Sequence, residues 1–532
     1  MNWPGNFPET RLEAHFGDRV VRCWRDRPAD VNALLAHAAG RGGTGDALVA
    51  GDLRLTWAAL EDRVGRLAAG LAARGITAGE RVALLLRNGP EFVPLFFAVL
   101  RLGAIAVPLN VREREPELRH VLADCGARAI VHHADLADRL PAPAHVPALR
   151  LRVSAGGDAP GAEPYAALAA SAAIPAAAVA EEDTAAIVYT SGTTGRPKGA
   201  MITHLGLVHA GMTYARVMDL TAADRGVAAV PLSHVTGLTG GILAMCAAGG
   251  TLVVMEEFKA PEFLELAARE RMSVTVLVPA MYKLCLLQKQ FDPARLRNWR
   301  LGVYGGAIMP AALIEEIAAR LPWLGLMNGY GATETTSAVA MMPPRFTATR
   351  GASVGCAVPC GEIFVADDDG RELPPGEIGE VFLRAPTTVK GYWNNPEATA
   401  REFVGGFWRS GDLGRLSADG FLEILDRKKD MINRGGFKVY AAEVEGVLAR
   451  DPLVAEAAVI GRPCPVLGER VHAVVVPAGP GFDPDALRAL CARELSDYKV
   501  PEAFTVRSEP LPRNANGKVL KRQLRAELES GA

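Results

Sequence analysis

The 532-residue chain has little cysteine and no cysteine pattern. Its eight cysteines, Cys23, Cys125, Cys246, Cys285, Cys356, Cys360, Cys464 and Cys491, are scattered, and none form C-x-x-C. That argues against a disulfide framework and for a reduced, cytoplasmic setting. Cys356 and Cys360 flank "AVP" with no histidine nearby, so two buried or loop thiols fit better than a metal site. An excess of one charge is also missing: 58 Lys and Arg against 60 Asp and Glu leave a net charge of −2. No field of that size favours nucleic acid or an anionic membrane as partner. The start, "MNWPGNFPETRLEAHFGDR", lacks a basic segment followed by an apolar one, so no signal peptide is expected. The most apolar region, 92–111, carries Arg101 and two prolines. It reads as a core helix leading into a buried strand, and no membrane span is expected. Internal repeats and heptads are absent as well.

What is present is strand–helix alternation over a length that exceeds one hydrophobic core. Up to about residue 160, helical patterns alternate with β-branched runs such as "RVALLL" and "AIVHH". An Ala-, Pro- and Gly-rich stretch from 141 to 183 reads as a connection with little core. Alternation resumes with "TAAIVY", "GVAAVPL", "TLVVM", "VTVLVP", "LGVYGG" and "LGLMNGY". Near Gly351 the pattern changes to apolar–polar alternation around Asp-Gly and Pro-Gly turns, the sign of antiparallel hairpins and a small barrel. After "LDRKKDMINRGGFK", about 100 residues hold a helix from Ala441, strands "VAEAAVIG" and "ERVHAVVVP", and a helix starting at Pro484 with Asp483 as N-cap. The expected fold class is α/β: a large N-terminal domain of parallel and mixed sheets flanked by helices, with a β-barrel-like subdomain, then a small mobile α+β domain. The expected boundaries are 1–425, a hinge at 426–430, and 431–532.

The densest chemistry lies in "YTSGTTGRPKGAMITH", from Tyr189 to His204. Thr190, Ser191, Thr193 and Thr194 crowd Gly192, Gly195 and Gly199 beside Lys198. Glycine turns backbone N–H groups toward an anion, and hydroxyls and a lysine add donors and charge. The order is not that of a P-loop, since Lys198 is followed by Gly199 rather than Ser or Thr. The following run, "AMITHLGLVHAGMTYARVM", has helical spacing. Four further clusters are weaker taken singly. "MNGYGATETT" offers Asn328, Gly329, Tyr330, Thr333 and Glu334: a ring for a base and a carboxylate for magnesium, or a capped turn. Asp412 in "FWRSGDLG" suits two ribose hydroxyls, or an Asx turn. Arg427 sits in a charge run that also reads as a solvated face, followed by Gly435 and Gly436. Lys518 in "NANGK" alone reads as a tail lysine.

Taken together, "YTSGTTGRPKG", "GYGATE", "WRSGD", "DRKKDMINRGGFKVYAAEVE" and "NANGK" resemble, in order and spacing, the adenylate-forming superfamily of acyl-CoA synthetases, nonribosomal adenylation domains and luciferases. The resemblance runs from about residue 30 to 525. It implies a ligase that joins a carboxylic acid to AMP with loss of pyrophosphate and then transfers the acyl group to the thiol of coenzyme A. It implies that the segment from Thr190 to Lys198 cradles phosphates and that Tyr330 stacks on adenine. Thr333 would touch the α-phosphate, Glu334 with Thr194 would hold Mg²⁺, and Asp412 and Arg427 would hold the ribose. Lys518 would be the catalytic lysine, Lys429 the hinge, and Gly435, Gly436 and Lys438 the channel for coenzyme A. His234 in "PLSHVTGL" matches the family's gating position, although alone it reads as a core histidine. The expected acyl pocket is His234, Thr236, Gly305, Gly306 and Ala307. "PLSHVTG" has no aspartate to pair an α-ammonium, which argues against an amino acid. The expected partners are therefore a fatty or aromatic monocarboxylate, ATP and coenzyme A. The alternative acceptor is an acyl carrier protein, and a homodimer is compatible with the sequence.

Overall fold

In the computed structural model, residues 3, 7–41, 45–190, 197–514 and 517–530 are described. By Cα proximity they fall into two units: 1–363 with 383–409, and 364–382 with 410–532. The hinge expected at 426–430 lies inside the second unit.

The first unit is built on parallel strands. In one sheet, Asp46–Ala50, Thr251–Val254, Arg225–Ala228, Val274–Leu277, Leu301–Gly305 and Gly325–Gly331 lie side by side, all parallel. Such strands are covered on both faces, which is why they read as near-continuous apolar runs. A seven-stranded sheet places Ile105–Pro108 between Arg81–Leu85 and Thr184–Thr190. The apolar region resolves into the helix Phe92–Arg101 and the strand Ile105–Pro108, as its spacing suggests. Phe92, Phe96 and Phe97 are fully buried in the main core.

Two expectations are corrected. The Ala-rich stretch 141–183 is more than a connection. It supplies the strand Leu151–Ala155, parallel to Ala129–His133, and its Leu168 is fully buried. Its backbone lies on the helix Trp57–Ala73, where a Cβ on Gly70 would come 1.6 Å from the Leu168 carbonyl oxygen. Packing through glycine leaves no apolar side-chain pattern to read. Second, "AMITH" does not open a helix. Lys198–Thr203 is a strand antiparallel to Thr184–Thr190, in the register Thr190↔Lys198, and the helix is His204–Val217. Thr203 ends the strand as N-cap, its hydroxyl accepting from the Gly206 N–H at 3.1 Å.

In the second unit, residues 412–416 of the strand Phe407–Leu416 form an antiparallel ladder with Phe421–Arg427. A five-stranded sheet holds Val454–Cys464 against Gly468–Pro477, with Ala441–Leu448 and Pro484–Glu494 among its helices. Asp483 caps the latter as expected, accepting from the Asp485 N–H at 3.0 Å. Ile432, Val459, Val475 and Leu487 belong to a hydrophobic cluster made only from this unit. All eight cysteines are buried and free. No helix among the described residues is long and apolar enough to cross a membrane.

Candidate active site

The hairpin of strands Thr184–Thr190 and Lys198–Thr203 aims Thr190 and Lys198 at one cluster of charged groups. The expected cradle residues Ser191, Gly192, Thr193, Thr194 and Gly195 lie outside the described residues. Gly199 lets the strands approach, since a Cβ there would come 2.7 Å from Ile187 and 3.0 Å from the Tyr189 ring. Thr190 Oγ1 is 3.4 Å from Glu334 Oε1, so the structure brings the first motif to the second. Lys198 Nζ donates to Glu402 Oε2 at 2.6 Å and stands 4.1 Å above the Tyr392 ring. The Tyr392 hydroxyl reaches Glu402 Oε2 at 2.7 Å and Glu334 Oε1 at 3.0 Å. Burial first, then the two carboxylates, push its phenol far above the usual range. Burial opposes ionisation of Glu402, but hydrogen bonds from Lys198, Tyr392 and Arg401 hold it below the ordinary carboxylate value.

Tyr392 and Glu402 were not among the expected site residues. They lie in "GYWNNPEATARE", where the tyrosine reads as part of a turn and the glutamate as an exposed helix charge. The spacing of the lysine, the tyrosine and the two glutamates along the chain gives no sign that they meet.

Glu334 and Thr333 are both buried, in the short 3₁₀ turn Thr333–Thr335 that follows the strand Gly325–Gly331. The adjoining Thr336 has φ 57°, a strained value for a β-branched residue, and its buried Oγ1 has no hydrogen-bond partner among the described residues. Asn328, Gly329 and Tyr330 lie on that strand, with Tyr330 paired to Ala340. Asn328 is buried beside Tyr304, its register partner.

His234 is partly accessible but crowded by surrounding atoms, and burial lowers its imidazole pKa, so it is neutral near pH 7. Its Nδ1 accepts from the Thr236 N–H at 3.4 Å, which places the ring hydrogen on Nε2. Thr236 opens the π-helix Thr236–Leu243, a rare geometry concentrated at functional sites. Between this helix and the parallel sheet is a narrow apolar slot of about 20 Å³. Thr236, Gly237, Gly240 and Gly241 form one wall, and Val227, Ala228, Val230, Val274 and Val276 are among the residues of the other. Of the expected pocket residues, only Thr236 lines the slot. Gly305, Gly306 and Ala307 do not; they belong to the end of the strand Leu301–Gly305 and the turn after it. Gly305 is needed for close packing, since its Cβ would come 2.5 Å from the Gly329 carbonyl oxygen. The slot's glycines lie in "TGLTGG", a helix-weakening cluster inside an apolar run, and were not among the expected pocket residues.

In the second unit, Asp412 and Arg427 are direct cross-strand partners, and Arg427 Nε is 2.7 Å from Asp412 Oδ1. A buried carboxylate beside a guanidinium offers both an acceptor and donors to a diol. Lys518 is near them. Crowding lowers its pKa to about 8, Arg427 and Lys429 push in the same direction, and Asp412 and Asp430 oppose. The side chain keeps a solvent-exposed surface, so its desolvation is partial; the two flanking cations keep the shift downward. Asn514 fixes the loop, its Oδ1 accepting from the Lys518 N–H at 2.9 Å. Gly435 and Gly436 form a two-residue turn between Ile432–Arg434 and Phe437–Val439, with φ of 60° and 90°. Both values are left-handed, so the hairpin itself demands glycine. Lys429 and Lys438 are exposed.

The model of the AMP-binding enzyme family matches residues 35–393, and that of the AMP-binding enzyme C-terminal domain matches 443–518. The chain belongs to the AMP-binding enzyme family. This AMP-binding enzyme is 38% identical over 477 residues to a feruloyl-CoA synthase of Amycolatopsis sp, covering 89% of this chain and 94% of that one. It is 36% identical over 481 residues to the long-chain-fatty-acid–CoA ligase FadD13 of Mycobacterium tuberculosis, covering 90% and 93%. Among solved structures it is similar to o-succinylbenzoate CoA synthetase of Bacillus subtilis in complex with the acyl-adenylate intermediate OSB-AMP. There the TM-score is 0.84 at 30% identity, with 92% of this chain and 97% of that chain covered.

Proposed function

We propose that the protein is an ATP-dependent carboxylic acid–CoA ligase acting on a fatty or aromatic monocarboxylate. The observation that carries the reading is the slot, whose lining is glycine, aliphatic side chains, methionine and two threonines, with no charged group. A wall of that kind accepts an apolar acyl group and rejects a second carboxylate, which would be buried without a partner.

In the first step a substrate carboxylate oxygen attacks the α-phosphorus, and the bond to the pyrophosphate oxygen breaks. Anion meets polyanion, so cationic groups must gather there. We assign Lys198 to the departing pyrophosphate, Thr333 and Lys518 to the α-phosphate, Tyr330 to the adenine, and Asp412 with Arg427 to the ribose. A lysine with a pKa near 8 is still mostly an ammonium at neutral pH, and being partly desolvated it acts strongly on charge. Glu334 and the Thr190 hydroxyl are oxygen donors of the kind a magnesium ion takes, so the residues fit that group. Magnesium, when bound, neutralises phosphate charge. In the second step the thiolate of coenzyme A attacks the acyl carbon and AMP departs. We assign the turn at Gly435 and Gly436, with Lys438, to the pantetheine arm, and His234 to the mouth of the slot.

The test is acid-dependent exchange of ATP with pyrophosphate, then thioester formation with coenzyme A, across linear, aryl and alicyclic acids. Exchange and thioester with at least one apolar monocarboxylate are expected. Exchange without thioester would move the acceptor from coenzyme A to a carrier protein. No exchange with any acid would remove the reading.

A further inference from the structure

Tyr392 has one hydroxyl hydrogen and two carboxylates within reach. Its oxygen is 2.7 Å from Glu402 Oε2 and 3.0 Å from Glu334 Oε1, inside a side chain only 3% exposed. A phenol donates one hydrogen bond at a time, so the two contacts compete for the same hydrogen. Glu402 Oε2 also receives Lys198 Nζ at 2.6 Å, and Glu402 Oε1 receives Arg401 at 2.8 Å. With Lys198 on Glu402 the hydrogen is shared between the two carboxylates, the shorter contact being the one to Glu402.

The frame that holds these groups is rigid. Two residues beyond Lys198, Ala200 bridges to Tyr392, flanked by Met201 N–H to the Gly391 carbonyl at 3.0 Å and Trp393 N–H to the Gly199 carbonyl at 2.7 Å. The Tyr392 N–H donates to Thr399 Oγ1 at 2.9 Å, tying the strand to the helix Pro396–Glu402, which ends in Glu402. Gly391 has φ 147°, and a Cβ there would lie 2.6 Å from Thr399 Cγ2. Lysine, tyrosine and both glutamates therefore keep their spacing while their hydrogen bonds rearrange.

We infer that Tyr392 and Glu402 are positioning residues that make anion binding at Lys198 and cation binding at Glu334 favour each other. The inference rests on the assignment of Lys198 to phosphate and Glu334 to magnesium. A phosphate that draws the ammonium of Lys198 away leaves Glu402, partly exposed, with Arg401 and Tyr392 as donors. The tyrosine hydrogen then shifts further toward Glu402, because a carboxylate that has lost its ammonium holds its other charge-assisted donors more strongly. Glu334 loses that donor, keeps the Thr190 hydroxyl at 3.4 Å, and presents a freer carboxylate to a cation. Run in reverse, a cation on Glu334 dismisses the tyrosine hydrogen to Glu402 and loosens Lys198 for phosphate. The coupling is reciprocal, as linkage requires.

The test is calorimetric binding of ATP to the full chain, without acid or coenzyme A, in EDTA and in saturating Mg²⁺. In the unmodified protein Mg²⁺ tightens ATP binding. Tyr392→Phe should cut that Mg²⁺-dependent gain about tenfold, the loss of one charge-assisted hydrogen bond, and should also weaken binding in EDTA, because Glu402 then has no tyrosine hydrogen to hold when Lys198 leaves. Glu402→Gln should tighten ATP binding in EDTA, because Lys198 loses its competing anion. It also serves as the second variant if Tyr392→Phe does not fold. Full Mg²⁺ gain in Tyr392→Phe, or unchanged or weaker binding in EDTA for Glu402→Gln, would overturn the inference. Acid-dependent exchange by the unmodified protein separates the two levels. Its absence beside an intact coupling removes the ligase reading alone, and its presence beside an uncoupled pair removes this inference alone.

Discussion

Lys518 carries the sharpest residue-scale expectation. Its folded pKa, about 8, lies below the ordinary lysine value, and it is the charged form that would stabilise the adenylation transition state. The rate of the first step should therefore be full below pH 7 and decline as pH rises through about 8. Lys518→Arg should abolish that declining limb, since a guanidinium stays charged throughout. Lys518→Ala should slow pyrophosphate exchange roughly a hundred- to a thousandfold, the usual loss of one strong electrostatic group. Thioester formation from supplied acyl-AMP should survive the same change. Equal loss in both steps, or a pH limb untouched by Lys518→Arg, would contradict the assignment. The family resemblance of the motifs in order named Lys518, Asp412 and Arg427, which alone read as a tail lysine, an Asx turn and a solvated charge. It did not name Tyr392 and Glu402, because no local pattern signals that two side chains ten residues apart share one hydrogen-bonded cluster with Lys198 and Glu334.

At the scale of the element, the π-helix Thr236–Leu243 separates two kinds of glycine. A Cβ on Gly237 would come 2.3 Å from the Pro231 carbonyl oxygen, which is backbone and cannot step aside. Gly237→Ala should lower the melting temperature, with a loss of about 1–3 kcal/mol typical of overpacking. A Cβ on Gly241 would meet only Leu252 at 3.8 Å and Ala228 at 3.9 Å, which are ordinary contacts. Gly241→Ala should keep the melting temperature and shift acid preference toward smaller acyl groups, measured by exchange over a chain-length series. An unaltered preference would place the acyl group elsewhere. Elements were legible where period and caps agreed, as at Asp483 and Pro484. They were misread where a hydroxyl ended a strand instead of continuing a helix, as at Thr203, and where glycine replaced side-chain packing, as at Gly70. Of the slot only Thr236 was expected: the glycines of "TGLTGG" were not read as a wall, and which sheet residues face them depends on strand order that no single segment encodes.

Across the whole molecule, the α/β class and the shift to antiparallel pairing past Gly351 could be read from alternation alone. The discontinuous make-up of the second unit could not, because 364–382 joins 410–532 through contacts distant in sequence. The cluster around Ile432, Val459 and Leu487 is drawn entirely from that unit, and the one around Phe92, Phe96 and Phe97 entirely from the first. Scanning calorimetry should accordingly resolve at least two transitions, whereas a single transition with matching calorimetric and van't Hoff enthalpies would argue against separate cores. The slot belongs wholly to the first unit, and Asp412, Arg427 and Lys518 wholly to the second. The slot thus shares its unit with Lys198, Tyr330, Thr333 and Glu334, and lies apart from the aspartate–arginine pair and the tail lysine. A transplant of the second unit between kindred chains would leave the recipient's taste in acids as it was, and new tastes can be bred by editing one lobe without retuning the other.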